Sequence, residues 1–310
     1  MKTKLICLTL LTALLCPIVP ARAVLIIGCF DTNRTGMFSA DGGSAETGFR
    51  ANLATNFPGA VIRSTDTITE GFLSSVDVFI GTVAVDGTTP ITPLTTAEQT
   101  ALVGFVSRGG GVMVFSDNDL QFQTASESFV TPFGLDSTGV ISGSATATVT
   151  NVSHPVANGP FGSVSSFTIQ SYPGWYDSVG PSAVGIATLD ANGQVTIAAI
   201  AANRLGTGSG AVVFFSDTSI NDGAFVGGLV PLVDNALAYV TPGAAGTPRL
   251  VINPDGSDVL VSWDTNVVGY RLQGSTNLAT GNWTEITLTG PNQSLVSPNT
   301  PQTFYRLIRP

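Results

Sequence analysis

Short, uninterrupted apolar runs that end in loops constrain the fold of this chain more than any other feature. Residues 24–28 (VLIIG), 76–81 (VDVFIG), 112–115 (VMVF) and 212–215 (VVFF) are of this kind. Such runs are typical of strands buried on both faces, as in a parallel sheet covered by helices. Residues 60–63 predict a further strand of the same sheet.

Three segments near these strands have the apolar spacing of amphipathic helices. Residues 44–56 predict the first helix, with Ser44 as its expected N-cap. Residues 95–107 predict the second, capped by one of the two threonines at its start, and residues 225–240 predict a closing helix. Strands alternating with helices favour an α/β fold with a mostly parallel sheet and helices on both faces.

The pattern changes after residue 142. Residues 145–150, 183–189 and 194–201 predict strands joined by turns, which indicates an antiparallel extension of the sheet. Residues 241–248 (TPGAAGTP) predict a linker. The remaining chain has room only for short alternating strands, as in a small β-sandwich. These strands are expected at 249–253, 258–263, 269–274 and 304–308.

Residues 1–23 have the pattern of a secretory signal peptide. Lys2 and Lys4 precede an apolar run, and the small-residue cleavage pattern Ala-Arg-Ala ends the segment. We expect the mature chain to begin at Val24 and to be secreted, periplasmic or attached to the cell surface. No later apolar run reaches the roughly 20 residues of a spanning helix, so no transmembrane span is expected after cleavage.

The residues left after cleavage exclude several kinds of chemistry. Cys7 and Cys16 leave with the leader, and Leu15 does not fit the small residue that a lipoprotein signal has before its cysteine, so ordinary secretion is favoured. The mature chain keeps Cys29 and His154 and has no lysine. An intramolecular disulfide, a lysine Schiff base, a P-loop lysine and a three-His or four-Cys zinc site are therefore excluded.

The charge balance argues against nucleic acid as a partner. Loss of Lys2, Lys4 and Arg22 leaves 9 arginines against 21 acidic residues, a net charge of about -12. Only 11% of residues are charged and glycine is abundant. That composition is typical of a strand-rich exported protein and not of a disordered tail.

The C-terminal part, 249–310, resembles a known class of small module. The matching stretches are VSW at 261–263, GYRLQGSTNL at 269–278, Trp283, and FYRL at 304–307. They are similar to the fibronectin III-like or immunoglobulin-like modules that end many large exported bacterial proteins. The resemblance implies a spacer or attachment domain without catalysis.

The larger part, 24–240, resembles the class I glutamine amidotransferase-like fold, in its ThuA-like branch without amidotransferase activity. The match is carried by VLIIG at 24–28, FVSRGGGVMVFSD at 105–117, SHPVANG at 153–159, and GSGAVVFFSD at 208–217 with the helix that follows. The resemblance implies a flavodoxin-like, mostly parallel sheet with helices on both faces.

The departures from the amidotransferase pattern argue against its chemistry. Amidotransferases place a cysteine in a Gly-x-Cys-x-Gly elbow and carry a late His-x-Glu, whereas here the strand end reads FSDN at 115–118 and Pro155 follows His154. Ser116 lacks the elbow glycines and would need His154 as its base. We expect His154 to be a loop residue and Cys29 an unreactive core thiol.

Two strands end alike, in VFSD at 114–117 and FFSD at 214–217. Since ligands of doubly wound sheets bind beyond the carboxyl ends of the strands, a candidate ligand or metal site is expected there. Carboxylates and amides suit Ca²⁺ or sugar hydroxyls, while the alternative is that the same aspartates cap the following helices. The candidate residues are Asp31, Asn33, Arg34, Ser116, Asp117, Asn118, Asp119, His154, Asp217, Asn221 and Asp222.

Trp175 and Tyr176 form a second candidate site, since either ring could stack on a sugar, although burial against the sheet is the favoured interpretation.

The favoured function is an exported, non-catalytic binding or surface-assembly protein whose partner is a carbohydrate or cell-surface component. No cofactor is expected, with Ca²⁺ as the one alternative. The rival hypothesis is a glycosidase-like hydrolase, with paired carboxyl groups about 5 to 10 Å apart across a cleft. Its carboxylates would come from Asp117, Asp119, Asp217 and Asp222. An inert scaffold is the third hypothesis.

Overall fold

The computed structural model describes residues 24–220, 229–242, 250–256, 258–263, 271–277, 282–290, 293–297 and 302–308. Within these ranges the chain forms an 11-stranded mixed sheet with helices, followed by two small antiparallel sheets. This is the predicted fold class.

Strands and helices alternate in the first part of the chain. In order they are β1 (Ile26–Phe30), α1 (Thr32–Thr35), α2 (Thr47–Asn56), β2 (Val61–Thr65), α3 (Glu70–Leu73), β3 (Val78–Thr82), α4 (Thr96–Ser107), β4 (Gly111–Phe115) and α5 (Gln123–Val130). Short strands then dominate: β5 (Asp136–Thr138), β6 (Ala145–Val149), β7 (Asn158–Gly159), β8 (Gly162–Ser163), β9 (Ser166–Ile169), β10 (Trp175–Ser178), β11 (Ala183–Leu189), β12 (Val195–Ile200) and β13 (Val212–Phe215). Helix α6 (Leu229–Val240) follows.

The first five strands of the large sheet are parallel and lie in the order β2-β1-β3-β4-β13. That order is the flavodoxin-like arrangement, in which β2 lies on one side of β1 and the later parallel strands lie on the other. The predicted flavodoxin-like parallel sheet is therefore confirmed.

The antiparallel extension is also confirmed. Beyond β13 the order continues through β12, β11, β6 and β9, and every neighbouring pair is antiparallel. Strand β10 pairs with β12 and β5 and so adds a short branch to this half of the sheet.

Helices cover both faces of the sheet. Successive residues of each strand point to opposite sides, so each strand contributes to a core on both faces. Ile27 and Cys29 of β1 belong to the core cluster that contains Leu53 of α2 and Leu237 of α6. Phe30 belongs to the opposite cluster, with residues of α3, α4 and α5. The first face also holds a buried carboxylate.

That carboxylate is Asp234 of α6, which ties α6 to α2. It accepts hydrogen bonds from the side-chain amides of Asn52 and Asn56, at 2.5 and 2.6 Å. Burial raises the pKa of Asp234 and outweighs these two hydrogen bonds.

Helix α4 begins and ends as the sequence predicts. Thr95 is its N-cap and forms a capping box with Glu98. After Ser107 the chain turns through Gly109, whose φ of +96 suits glycine. A Cβ on Gly111, at the start of β4, would lie 1.9 Å from the carbonyl oxygen of Val240. This close approach of α6 to β4 requires glycine.

The start of α2 was predicted wrongly. The helix begins at Thr47, with Glu46 at its N-cap position and no side-chain cap, so Ser44 does not cap it. The preceding residues form turns instead, in which the Gly43 N–H donates to the Ser39 carbonyl and the Ala45 N–H to that of Met37.

Some predicted boundaries shift because pairing with neighbours sets the ends of strands. Strand β2 runs to Thr65 because it pairs with β1 over its whole length. Strand β3 begins at Val78, two residues later than predicted. The closing helix is described only from Leu229, and the first part of its predicted range lies outside the described residues.

The C-terminal strands are β14 (Val251–Asp255), β15 (Asp258–Ser262), β16 (Arg271–Ser275), β17 (Thr284–Glu285), β18 (Gln293–Val296) and β19 (Phe304–Ile308). They form two antiparallel sheets, β14-β15-β18 and β17-β16-β19. Val261 of the first sheet, Trp263 directly after β15, and Leu272 of the second sheet share a buried cluster. The predicted short strands are present, and most of the expected linker lies outside the described residues.

None of the helices in the described ranges has the length and hydropathy needed to cross a membrane.

Candidate functional site

The parallel strands β1, β3, β4 and β13 end at one edge of the sheet. Thr82 pairs with Phe115, and Phe115 pairs with Phe215, so these strand ends are level. We call this edge the carboxyl rim and define it by the residues that follow the four strands, namely Asp31, Val83, Ser116, Asp117, Ser216 and Asp217.

Asp31 acts as the N-cap of α1. Its Oδ1 accepts hydrogen bonds from the backbone N–H groups of Asn33, at 2.9 Å, and Arg34, at 3.1 Å. The side-chain amide of Asn33 donates to Oδ2 at 3.2 Å. Asp31 and Asn33 therefore serve the local structure of the first loop.

Arg34 forms an ion pair with Glu98 of α4. Its guanidinium carbon lies 4.3 Å from the ring centre of Phe30. Burial acts to raise the pKa of Glu98, but hydrogen bonds from Arg34 and from the backbone N–H groups of Thr95 and Ile68 outweigh it and lower the pKa. The pair fastens the first loop to α4.

Ser116 is fully buried in a network of hydroxyl groups at the rim. Its Oγ lies 2.8 Å from the Tyr176 hydroxyl and donates to the Phe215 carbonyl at 3.0 Å. Ser216 mirrors it, with Oγ 2.6 Å from Thr196 Oγ1. No imidazole contacts Ser116, so the geometry does not support a nucleophilic serine.

Asp117 joins the ends of β4 and β13. Its Oδ1 accepts hydrogen bonds from the backbone and side-chain amides of Asn118, at 2.7 and 2.6 Å. Its Oδ2 accepts one from the Thr218 hydroxyl. Burial raises the pKa of Asp117 in spite of these donors. The carboxylate is 7% exposed, and both oxygens are used inside the protein.

Asp217 caps the short 3-10 helix Thr218–Ile220. Its Oδ1 accepts hydrogen bonds from the backbone N–H of Ser219, at 2.7 Å, and from the Ser219 hydroxyl. This is the capping role that the sequence left open as the alternative to a ligand site.

Asp119 lies two residues beyond Asp117 and is partly exposed. Thr138 Oγ1 donates to its Oδ2 at 3.4 Å, and its backbone N–H donates to the Gly139 carbonyl. Asn221 and Asp222 lie outside the described residues.

The segment 171–175 (SYPGW) covers the rim, which sequence reasoning missed. The carbonyl of Gly174 accepts a hydrogen bond from Ser216 Oγ at 2.8 Å. A Cβ on Gly174 would lie 3.0 Å from the Cα of Asn118, so the two backbones are in contact. The place where a doubly wound sheet usually binds its ligand is therefore filled by the chain itself at β4 and β13.

His154 lies away from the other candidates. Its ring centre is 4.9 Å from that of Tyr239, near the end of α6 that contacts the start of β4, and its Nδ1 accepts a hydrogen bond from the Val156 N–H at 3.2 Å. This is the opposite edge of the sheet from the carboxyl rim. Burial lowers the pKa of His154 to about 4, so the ring is neutral near pH 7.

Cys29 is 2% exposed within β1. Burial raises the pKa of its thiol to about 12, and the protonated thiol is a poor nucleophile. Neither Ser116 nor His154 is among its contacts, so the described geometry offers no support for a Cys29–His154 dyad.

The two aromatic candidates behave differently. Tyr176 is buried, as expected, and burial raises the pKa of its hydroxyl far above the usual range. Trp175 is partly exposed, and its Nε1 donates to Asp177 Oδ1 at 2.9 Å. Alternation along β10 separates the two rings, because neighbouring residues of a strand face opposite sides of the sheet.

No group of three or more His, Cys, Asp or Glu side chains in the described ranges is placed to hold a metal ion. A shallow cavity of about 380 Å³ lies beside α4. It is lined by Thr96, Gln99, Thr100, Val103, Thr131 and Pro132. The lining has no carboxylate, imidazole or thiol and contains none of the predicted site residues.

No protein-family model matches this chain, and no curated protein sequence matches it. Solved structures with a similar chain path include the N-terminal domain of mmIFT52, with 13% identity, a TM-score of 0.49, and coverage of 70% of this chain and 97% of that one. A ThuA-like protein from Bacteroides uniformis has 17% identity, a TM-score of 0.43, and coverage of 71% and 94%.

A glutamine amidotransferase from Thermotoga maritima has 8% identity, a TM-score of 0.40, and coverage of 63% of this chain and 75% of that one. The structural neighbours thus include ThuA-like and glutamine amidotransferase proteins, the two groups that the sequence resembles. At these identities and scores they carry no functional argument. The fold itself follows from the strand order, which is that of a flavodoxin-like sheet with an antiparallel extension.

Proposed function

We propose that this protein is an exported, non-catalytic binding or surface-assembly protein whose partner is a carbohydrate or another cell-surface component. One observation carries the proposal: the carboxylates and hydroxyls at the ends of β4 and β13 are buried, bonded to one another and covered by residues 171–175. Such groups hold a fold together, whereas a catalytic group has to reach its substrate.

The glycosidase alternative gains no support from the described carboxylates. Asp117 and Asp217 are both below 10% exposed and accept internal hydrogen bonds, so they do not face each other across an open cleft. Asp119 is partly exposed and accepts a hydrogen bond from Thr138 Oγ1, and Asp222 lies outside the described residues.

Export is supported by the leader pattern of residues 1–23 and by the acidic, lysine-free composition of the rest. The fibronectin III-like or immunoglobulin-like pattern of 249–310 suits a spacer or attachment module. In this proposal the α/β domain carries the binding surface and the C-terminal module holds it at the cell surface or away from it.

The test uses residues 24–310, purified and applied to a glycan array and to a cell-envelope preparation. We expect retention on at least one of them, with no release of reducing sugar from the bound glycan. The same material is assayed beside an Asp117→Asn variant. Hydrolysis by the original chain that is lost in the variant would replace the proposal with the glycosidase hypothesis.

Export is tested separately by expressing the full chain in a bacterial host with a secretory pathway and measuring the mass of the protein outside the cytoplasm. A mature form that begins at Val24 is expected. Retention of an uncleaved chain in the cytoplasm would contradict export.

A further inference from the structure

We propose that Trp175, Asp177 and Gln194 form a binding site for a neutral oligosaccharide of pyranose units, with Tyr172 at its margin. The inference rests on the proposed binding function and names the surface and the ligand class that the function leaves open. It depends on a partly exposed indole ring held beside an exposed carboxylate and an amide.

The indole of Trp175 is fixed at two places before any ligand arrives. Its ring lies on the backbone of Gly139, where an added Cβ would be 1.9 Å from Cζ2. Gly139 also has a φ of +74, which favours glycine. The close indole ring and the positive φ are thus two separate reasons for glycine at this position. The indole N–H donates to Asp177 Oδ1 at 2.9 Å, which sets the ring's orientation. A ring held in place loses little conformational entropy when it binds.

Two polar side chains, those of Asp177 and Gln194, lie next to the edge of the ring. Asp177 is exposed, and Gln194 Nε2 lies 3.5 Å from the same carboxylate oxygen that accepts from the indole. The face of an indole is electron-rich and attracts the C–H groups on the flat side of a pyranose. A carboxylate and an amide at the edge of the ring can then bind the hydroxyl groups around that pyranose.

Tyr172 extends this surface along the same segment. Tyr172 is 46% exposed. Its φ of +45 is strained for a residue other than glycine. Strain of this kind gathers at binding sites, where the fold holds a side chain in place for a ligand. Three residues span at most about 11 Å, so Tyr172 is within reach of a ligand only a few sugars long.

The backbone around the two aromatic residues is well fastened. The Tyr172 N–H donates to the Gly143 carbonyl at 2.8 Å, and the Pro173 carbonyl accepts from the Ile141 N–H at 3.0 Å. The Gly174 carbonyl accepts from Ser216 Oγ. The binding surface is thus preformed. Little conformational entropy is lost when a ligand binds to it, so a ligand that makes few contacts can still bind.

Charge selects the class of sugar. The mature chain has a net charge of about -12, and the site itself contains a carboxylate. Acidic polysaccharides would be repelled on approach and at the site. Neutral pyranose oligomers fit the ring and its polar edge without that repulsion.

The test is isothermal titration of residues 24–310 with four neutral hexasaccharides, namely cellohexaose, chitohexaose, xylohexaose and mannohexaose. We expect at least one to bind at millimolar concentration or below. Asp177→Ala and Gln194→Ala should each weaken binding about tenfold. Tyr172→Ala should weaken binding by a smaller factor, because Tyr172 lies at the margin of the site. The matched control is Asp66→Ala, which removes another exposed carboxylate, next to the distant edge strand β2, and should leave the affinity unchanged.

Circular dichroism of each variant checks that it folds. If the Asp177→Ala protein does not fold, the Tyr172→Ala and Gln194→Ala variants still test the site. Failure of all four hexasaccharides to bind would overturn the inference, and so would equal affinity in the Asp177→Ala and Asp66→Ala proteins. The proposed function survives either result if the chain still binds the array or the envelope. Cleavage of a bound hexasaccharide would instead count against the non-catalytic function.

Discussion

At the scale of single residues, burial decides which polar groups can act on a ligand. Ser116, Asp117 and Asp217 have the side chains of a binding site, yet each is below 10% exposed and bonded to its neighbours. Asp177 and Gln194 have the same kinds of donor and acceptor and lie nearer the surface. Residue type alone does not distinguish the two groups.

Replacing Asp117 tests its structural role. Asp117→Ala leaves the Asn118 amide and the Thr218 hydroxyl without their acceptor, so it should lower the free energy of unfolding by about 1 to 3 kcal/mol. Urea denaturation measures the loss, and Asp66→Ala serves as the neutral control. Since both oxygens of Asp117 are used internally, Ca²⁺ should not raise the melting temperature. A calcium-dependent increase that Asp117→Asn removes would revive the metal hypothesis.

At the scale of elements, helix starts show where local signals are sufficient. The start of α4 could be predicted because Thr95 and Glu98 stand three residues apart and complete each other's hydrogen bonds. The start of α2 could not, because Ser44 has the right residue type but its segment is drawn into turns with Ser39 and Met37. Tertiary contacts of this kind override the weak preference of a serine for the N-cap position.

Glu98→Gln tests the link between α4 and the first loop. The variant loses the ion pair with Arg34 and should lower the free energy of unfolding at pH 7 by about 1 to 3 kcal/mol. The pKa of Glu98 in the folded protein lies below its ordinary 4.5, so this stabilisation is present above pH 4.5 and is lost as the pH falls through the lowered value. Denaturation curves should therefore converge in acid. If the two proteins still differ in free energy of unfolding at low pH, the effect of Glu98→Gln comes from packing and not from the ion pair.

At the scale of the whole molecule, the order of strands determines where side chains meet. β4 and β13 are nearly 100 residues apart in the sequence, but they are neighbours in the sheet, so Asp117 can bond Thr218. Parallel pairing requires long connections, and the intervening chain is used for the antiparallel extension and for the segment that covers the rim.

Limited proteolysis tests the proposed division of the chain at 241–248. We expect cleavage within this Pro-, Gly- and Ala-rich stretch, followed by two fragments that resist further digestion, since few contacts should cross a linker of this composition. Mass spectrometry of the fragments locates the cut. Protection of 241–248 at protease concentrations that cut other loops would mean that the two parts are docked.

The sequence by itself determined the parallel sheet, the antiparallel extension and the short C-terminal strands, because apolar periodicity and turn residues act within a few positions of one another. It also determined that His154 is the one histidine of the sequence and that Cys29 is the one cysteine after residue 23.

Only the tertiary structure decided that the strand-end aspartates are internal caps and ties, that residues 171–175 cover them, and that Trp175 remains partly exposed while Tyr176 does not. Burial and hydrogen-bond partners depend on residues far apart in the chain. A local pattern carries no record of which distant segment will pack against it.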